Sequence, residues 1–152
     1  MDEVESFLAD VLPRLRAEEI ALHNGDPTDR IAVWSHIEPV TLFGAAVTKI
    51  GWEGIRATFE WLGTRFSNCE DFTIEVVAAG VSGDLGYLAA IERTTTSADG
   101  QPPAPYALRA TTIFRREAGS WHVVHRHGDS FPDDAETVAA LRHGDAAAAP
   151  AQ

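Results

Sequence analysis

The chain contains one cysteine, Cys69, among 152 residues. A lone thiol excludes an intramolecular disulfide framework and any paired-thiolate metal motif. Basic residues are also scarce: 12 Lys and Arg stand against 23 Asp and Glu, for a formal charge of -11. A phosphate backbone or an anionic membrane surface meets a repelling average field, and no basic run compensates. Neither nucleic acid nor a membrane is therefore expected as a partner. No apolar run approaches the roughly 20 residues needed to span a bilayer. The first residues, Met1-Asp-Glu-Val-Glu-Ser6, lack the basic-then-apolar layout of a secretory signal, so a cytoplasmic protein is the expectation. Tyrosine is rare too: Tyr87 and Tyr106 are the only two.

What is present suits a single globular domain. With 45% hydrophobic and 23% charged residues, residues 1–144 are expected to form one core, and 145–152 a mobile Ala/Pro tail. Phe7, Leu8, Val11, Leu12, Leu15 and Ile20 fall at helical spacing between Val4 and His23. Pro13 predicts either a kink there or a second helical segment with Pro13 in its first turn. Asn24-Gly25-Asp26-Pro27 is turn chemistry, and a short helix is expected through about Val33. Pro39–Phe43 and Val47–Ile50 read as two short strands joined near Gly44. Trp52–Phe66 reads as an amphipathic helix carrying Ile55, Phe59, Leu62 and Phe66. Four strands separated by clear turns follow, over Phe72–Val81, Leu85–Thr95, Tyr106–Arg116 and Trp121–Ser130. Successive strands with short turns favour an antiparallel meander. Asp133 or Asp134 is placed to cap a short last helix ending near His143. Helices first, a hairpin, another helix, then a meander is an α+β order.

The last strand carries the strongest chemical signal. Strict two-residue alternation puts His125, His127 and Asp129 on one line behind Trp121 and Val123. A row that begins apolar and ends in two imidazoles and a carboxylate suits a pocket floor, a polar subunit contact or a metal site. Imidazole titrates near neutral pH, and a carboxylate one pleat away would orient it. Zinc would need a third ligand, Asp129 or His36, and two histidines at that spacing are a weak signal. Arg109 and Thr111 share a face of the preceding strand, where antiparallel pairing brings them beside the row.

The element order, with Ala21-Leu-His-Asn-Gly-Asp26, Pro39-Val-Thr-Leu-Phe-Gly44 and Trp121-His-Val-Val-His-Arg-His127, resembles the SnoaL-like, ketosteroid isomerase-like branch of the nuclear transport factor 2-like superfamily. The last-strand pattern is also similar to the association domain of calcium/calmodulin-dependent kinases. The resemblance covers roughly residues 4 to 131. It implies a cone-shaped, curved antiparallel sheet wrapped around N-terminal helices, with an apolar pocket between the two. It implies homodimers through the outer face of the sheet, and neither a metal nor an organic cofactor. Function does not travel with this fold, which hosts isomerases, cyclases, dehydratases and non-catalytic modules. The ketosteroid isomerase set of an aspartate base with tyrosine and aspartic acid donors is not reproduced, because the first helix has no tyrosine.

Two readings stay open. In the first, the protein is a cofactor-independent acid/base enzyme (an isomerase, cyclase or hydrolase) acting on a small apolar carbonyl or polycyclic compound. His127 would then be the acid/base and Asp129 its orienting partner, with Arg109 or His125 stabilising developing negative charge. Trp34, His36, Phe43, Phe59, Thr111 and Tyr87 would line the substrate site. In the second, the same fold is a non-catalytic small-molecule-binding or oligomerisation module, with both histidines sealed in an interface.

Overall fold

A computed structural model describes residues 1–131 of the chain. The last helix and the Ala/Pro tail expected from the sequence lie outside the described residues. Three helices, α1 (Glu3–His23), α2 (Thr28–Val33) and α3 (Trp52–Arg65), accompany six strands. The strands are β1 (Thr41–Phe43), β2 (Thr48–Ile50), β3 (Phe66–Ser82), β4 (Leu85–Ala98), β5 (Ala104–Glu117) and β6 (Ser120–Ser130). Among the described residues, no helix is long and apolar enough to cross a membrane.

Helix α1 starts at a reciprocal cap. Glu5 N donates to Asp2 Oδ1 at 2.8 Å, and Asp2 N donates to the Glu5 carboxylate at 3.3 Å. The helix runs on through Pro13 as one element rather than dividing there. It ends at Asn24 and at Gly25, whose φ of 93° suits a residue without a Cβ. Helix α3 borrows its cap from elsewhere in the chain: Glu38 accepts from Trp52 N at 2.7 Å.

The sheet order is β2-β1-β6-β5-β4-β3. Neighbouring strands are antiparallel except β1 and β6, which run parallel, so the sheet is mixed rather than wholly antiparallel. The short hairpin β1–β2 thus extends the meander beyond its last strand. This parallel neighbour comes from a connection far longer than a hairpin turn, since β1 precedes β6 by the whole meander.

One face of the sheet packs on the helices. Phe7 of α1 meets Phe114 and Trp121 edge to face, with centroids 5.2 and 5.1 Å apart. Val11, Leu15, Leu88 and Val123 join the same core, and Ile55 and Phe59 anchor α3 with no exposed surface. Gly86 permits the closest approach of α1 to the sheet. A Cβ built there would lie 2.8 Å from Phe7 Cε1, and Phe7 is held between two aromatic rings. Gly86→Ala is therefore expected to destabilise the fold by about 1–3 kcal/mol through overpacking, read as a lower midpoint in urea unfolding.

Register decides the chemistry of β6. Phe114 pairs with Val123 but Ile113 pairs with His125, so Val124 is an extra residue, a β-bulge. Alternation reverses there. Trp121 and Val123 face the helices before the bulge; Arg126 and Gly128 do so after it, and His125, His127 and Asp129 turn to the outer face.

Candidate functional site

The apolar stripe of α1 does not stop at Leu15. Three- and four-residue steps carry it on through Glu18, Glu19, Leu22 and His23, so acidic and imidazole side chains occupy core-facing positions. Glu18, Glu19 and His23 are only 2–3% exposed. From α2 comes Arg30, and from the sheet come Glu92 on β4, Tyr106 on β5 and Arg126 on β6.

Charges this far from water persist only in pairs. Arg126 makes a two-pronged contact with Glu92, Nη1 to Oε2 at 2.9 Å and Nη2 to Oε1 at 2.7 Å. Arg30 holds Glu18 through Nε at 2.6 Å and Nη2 at 3.3 Å. Arg30 Nη2 also lies against Glu19 Oε1, and Arg126 Nη2 is 3.6 Å from that oxygen. Three carboxylates thus face two guanidiniums, one acid more than the cations can neutralise. Burial pushes the Glu18 carboxyl up to about 8 despite Arg30 beside it. Burial would also raise Glu19, but Arg30, Arg126 and His23 together hold it below the ordinary carboxylate range.

His23 links this cluster to a phenol. Its Nδ1 lies 2.7 Å from the Glu19 carbonyl oxygen and 3.6 Å from Glu19 Oε2, and its Nε2 is hydrogen-bonded to the Tyr106 hydroxyl. A ring nitrogen facing a carbonyl oxygen carries the proton, so the geometry assigns Nδ1–H and leaves Nε2 as a lone pair. Tyr106 then donates its hydroxyl proton to Nε2. Burial lowers the His23 pKa, against the pull of Glu19, and keeps the ring neutral; burial raises Tyr106 and keeps the phenol protonated. Glu19, His23 and Tyr106 therefore form a chain in which the Glu19 backbone carbonyl accepts from His23 Nδ1 and Nε2 accepts from the phenol, with the Glu19 carboxylate 3.6 Å from the ring.

This chain forms part of the wall of a cavity of about 230 Å³ between helices and sheet. The polar part of the lining is Glu19, His23, Arg30, Thr58, Arg65, Tyr106 and Arg126; the remainder is mostly apolar, including Leu22, Leu42, Phe59, Leu62 and Leu108. The β1–β2 turn supplies Gly44, Ala45, Ala46 and Val47. An apolar hollow with a few convergent polar groups is the usual form of a ligand site.

The shifts of Glu18 and His23 have opposite consequences for stability. Glu18 keeps its proton in the fold up to about 8 against an ordinary 4.5, so its contribution is lost as pH rises through 8. His23, lowered from 6.5, resists protonation in the fold, so its contribution is lost as pH falls below 6.5. Between 6.5 and 8 the Glu18 proton outweighs, among the described residues, the opposite effect of His23 and His125, whose protonation in the unfolded chain is half complete at 6.5 and fades above it. The melting temperature is expected to fall with rising pH across that window, and Glu18→Gln to flatten the slope.

Residues 20–134 match the SnoaL-like domain family. The chain belongs to that family. Solved structures agree on the fold. The SnoaL-like chain is similar to a nuclear transport factor 2-like superfamily protein from Salmonella enterica, with a TM-score of 0.65 at 14% identity, covering 82% of this chain and 92% of that one. A provisionally assigned calcium/calmodulin-dependent protein kinase II association domain from Xanthomonas campestris gives 0.64 at 16%, covering 88% and 91%. A provisionally assigned ketosteroid isomerase from Parabacteroides distasonis gives 0.59 at 16%, covering 76% and 83%. At these identities the likeness is one of fold, the α+β cone of nuclear transport factor 2-like proteins. No curated protein matches the chain.

Within this SnoaL-like fold, the residues singled out from the sequence divide between two faces of the sheet. His127 is exposed on the outer face, opposite Thr111; Asp129 lies opposite Arg109, and His125 opposite Ile113. Arg109, Thr111 and Tyr87 share that outer face. Strand pairing thus gathers the expected group, but the Val124 bulge turns it away from the cavity. His125 Nδ1 is 2.7 Å from Thr41 Oγ1, and burial followed by the neighbouring His127 lowers its pKa. Phe43 lines the cavity and also sets its ring edge against His125 and His127, at 5.0 and 5.7 Å. Phe59 lines the cavity. Trp34 is buried in the core against Phe59, and His36 stacks on Trp52 at 4.0 Å; neither lines the cavity. Among the described residues, no three His, Cys, Asp or Glu side chains are placed to hold a metal ion.

Sequence reasoning passed over Glu18, Glu19, His23, Arg30, Glu92, Tyr106 and Arg126. Part of the signal was available. Glu19 and His23 sit four residues apart on an apolar helical stripe, and Glu92 and Tyr106 alternate with Ala90 and Leu108 on core-facing strand positions. A charged residue in phase with a core is a better clue than one in phase with a surface.

Proposed function

We propose that the protein is a cofactor-independent acid/base enzyme whose site is the inner cavity, with His23 as the general base acting through Tyr106. The observation that carries this reading is the Glu19–His23–Tyr106 chain in the wall of a mostly apolar cavity. A small, largely apolar carbonyl compound with an acidic hydrogen enters beside Tyr106. Its proton passes to Tyr106 Oη as the Tyr106 proton passes to His23 Nε2. The imidazolium so formed stands 3.6 Å from Glu19 Oε2, which stabilises it. Returning the proton to a different atom of the compound completes an isomerisation without any cofactor. The outer-face row then has a different use: Phe43, Tyr87, His125 and His127 form a half-exposed band suited to pairing with a second copy.

The experiment is deuterium incorporation from heavy water into a panel of small enolisable carbonyl compounds, followed by NMR. The protein is expected to accelerate exchange in at least one compound. Tyr106→Phe should slow it by about 10²–10⁴-fold, the usual worth of a positioned acid/base group. Equal exchange by the variant would refute the assignment. Ligand binding with no exchange at all would leave the cavity as a binding module.

A further inference from the structure

We propose that the cavity takes a neutral single-ring molecule whose head group is a hydroxyl, held as a hydrogen-bond donor to Tyr106 Oη. The inference rests on reading this cavity as the ligand site; the hydroxyl is that of the enol form of an enolisable carbonyl compound, for which a phenol is the stable stand-in.

Three observations converge on it. The first is hydrogen-bond polarity. His23 Nδ1 donates to the Glu19 carbonyl, so Nε2 takes the Tyr106 proton, and Tyr106 Oη keeps only lone pairs for a ligand. Tyr106 thus offers a ligand an acceptor and no donor.

The second is charge. Among the described residues, the three arginines lining the cavity are each paired through two contacts: Arg30 to Glu18 at 2.6 and 3.3 Å, Arg65 to Asp99 at 3.0 and 2.7 Å, and Arg126 to Glu92 at 2.9 and 2.7 Å. Each of these guanidinium charges is already paired with a carboxylate among the described residues, and an anion would enter beside a cluster already rich in acid. The ligand is therefore uncharged rather than anionic.

The third is size. A dry cavity of about 150 Å³ lined by aliphatic and aromatic side chains accommodates benzene. At about 230 Å³ this cavity has room for one ring with a few substituents, and not for a fused polycycle. The aromatic residues Phe59 and Phe66 in the lining suit such a ring.

The test uses the intact wild-type protein and three probes of similar size: para-cresol, its methyl ether and para-toluate. Isothermal titration calorimetry is expected to show the cresol binding at least about tenfold more tightly than the ether, because only the cresol can donate to Tyr106. The toluate should bind more weakly than either. Tyr106→Phe should remove the preference for cresol over ether while retaining binding of the ether. The ether binding as well as the cresol, the toluate binding most tightly, or none of the three binding at millimolar concentration would overturn the inference. The wild-type comparison decides the matter even where the variant fails to fold. Its failure is separable from failure of the acid/base reading. Selective cresol binding without deuterium exchange would refute catalysis alone, and exchange with no cresol preference would refute the ligand class alone.

Discussion

Replacing Arg126 by alanine is expected to destabilise the fold by about 3–5 kcal/mol, the cost of breaking a buried ion pair by removing one partner. Arg126 is 8% exposed and satisfies both oxygens of Glu92, which is itself 6% exposed. It also lies 3.6 Å from Glu19. Alanine leaves Glu92 without its cation and makes the surplus of acid worse, with three carboxylates against Arg30 alone. Protonation of the stranded carboxylates limits the loss at low pH, so the deficit should widen as pH rises. At about 2–4 °C per kcal/mol for a chain of this size, the melting temperature should drop by roughly 10 °C. Replacing Arg126 and Glu92 together by methionine should recover much of the loss, because two apolar side chains of similar length leave fewer charges stranded. Thermal unfolding by circular dichroism measures both. A drop of only a degree or two in the alanine variant would mean that Arg126 is hydrated and its pair dispensable.

His23→Gln is expected to reduce acid/base turnover by about 10²–10⁴-fold. Glutamine retains a hydrogen bond to the Tyr106 hydroxyl and much of the volume, but it cannot take up a proton near neutral pH. The loss should therefore be in the rate of the chemical step rather than in ligand affinity. The wild-type pH profile carries the same signature. Neutral His23 is the active form, and burial lowers its pKa from 6.5, so activity should persist below 6.5 and fall only at more acidic pH. A profile that climbs above 6.5 instead would point to a different base.

Much of the fold was legible in the sequence because its signals are local. The stripe of Phe7, Val11 and Leu15 marked α1, and the Ser82-Gly83-Asp84 and Glu117-Ala-Gly-Ser120 turns marked the hairpins that the structure contains. Of the two expectations for Pro13, a division of the helix is excluded, since packing along the stripe keeps α1 one element. The parallel partnership of β1 with β6 joins segments about eighty residues apart and leaves no local trace.

The site was less legible for the same reason. Two-residue alternation is a sound rule until one extra residue enters a strand, and Val124 is such a residue. Val123 and Val124 are both apolar, so nothing in composition shows which one belongs to the core. The bulge exchanges His127 for Arg126 at the cavity, and with that one step the chemistry moves from the last strand to the first helix. His23 was visible throughout, four residues after Glu19, but a histidine at a helix end reads equally well as a cap.

The most direct test of the account compares His23→Gln with His127→Gln in the deuterium-exchange assay, on whichever carbonyl compound the wild-type protein processes. Both variants remove one imidazole, one from the cavity and one from the outer face of the sheet. The account predicts that exchange collapses in His23→Gln and stays within about twofold of wild type in His127→Gln, where no cavity contact is lost. Collapse in His127→Gln with normal exchange in His23→Gln would contradict it.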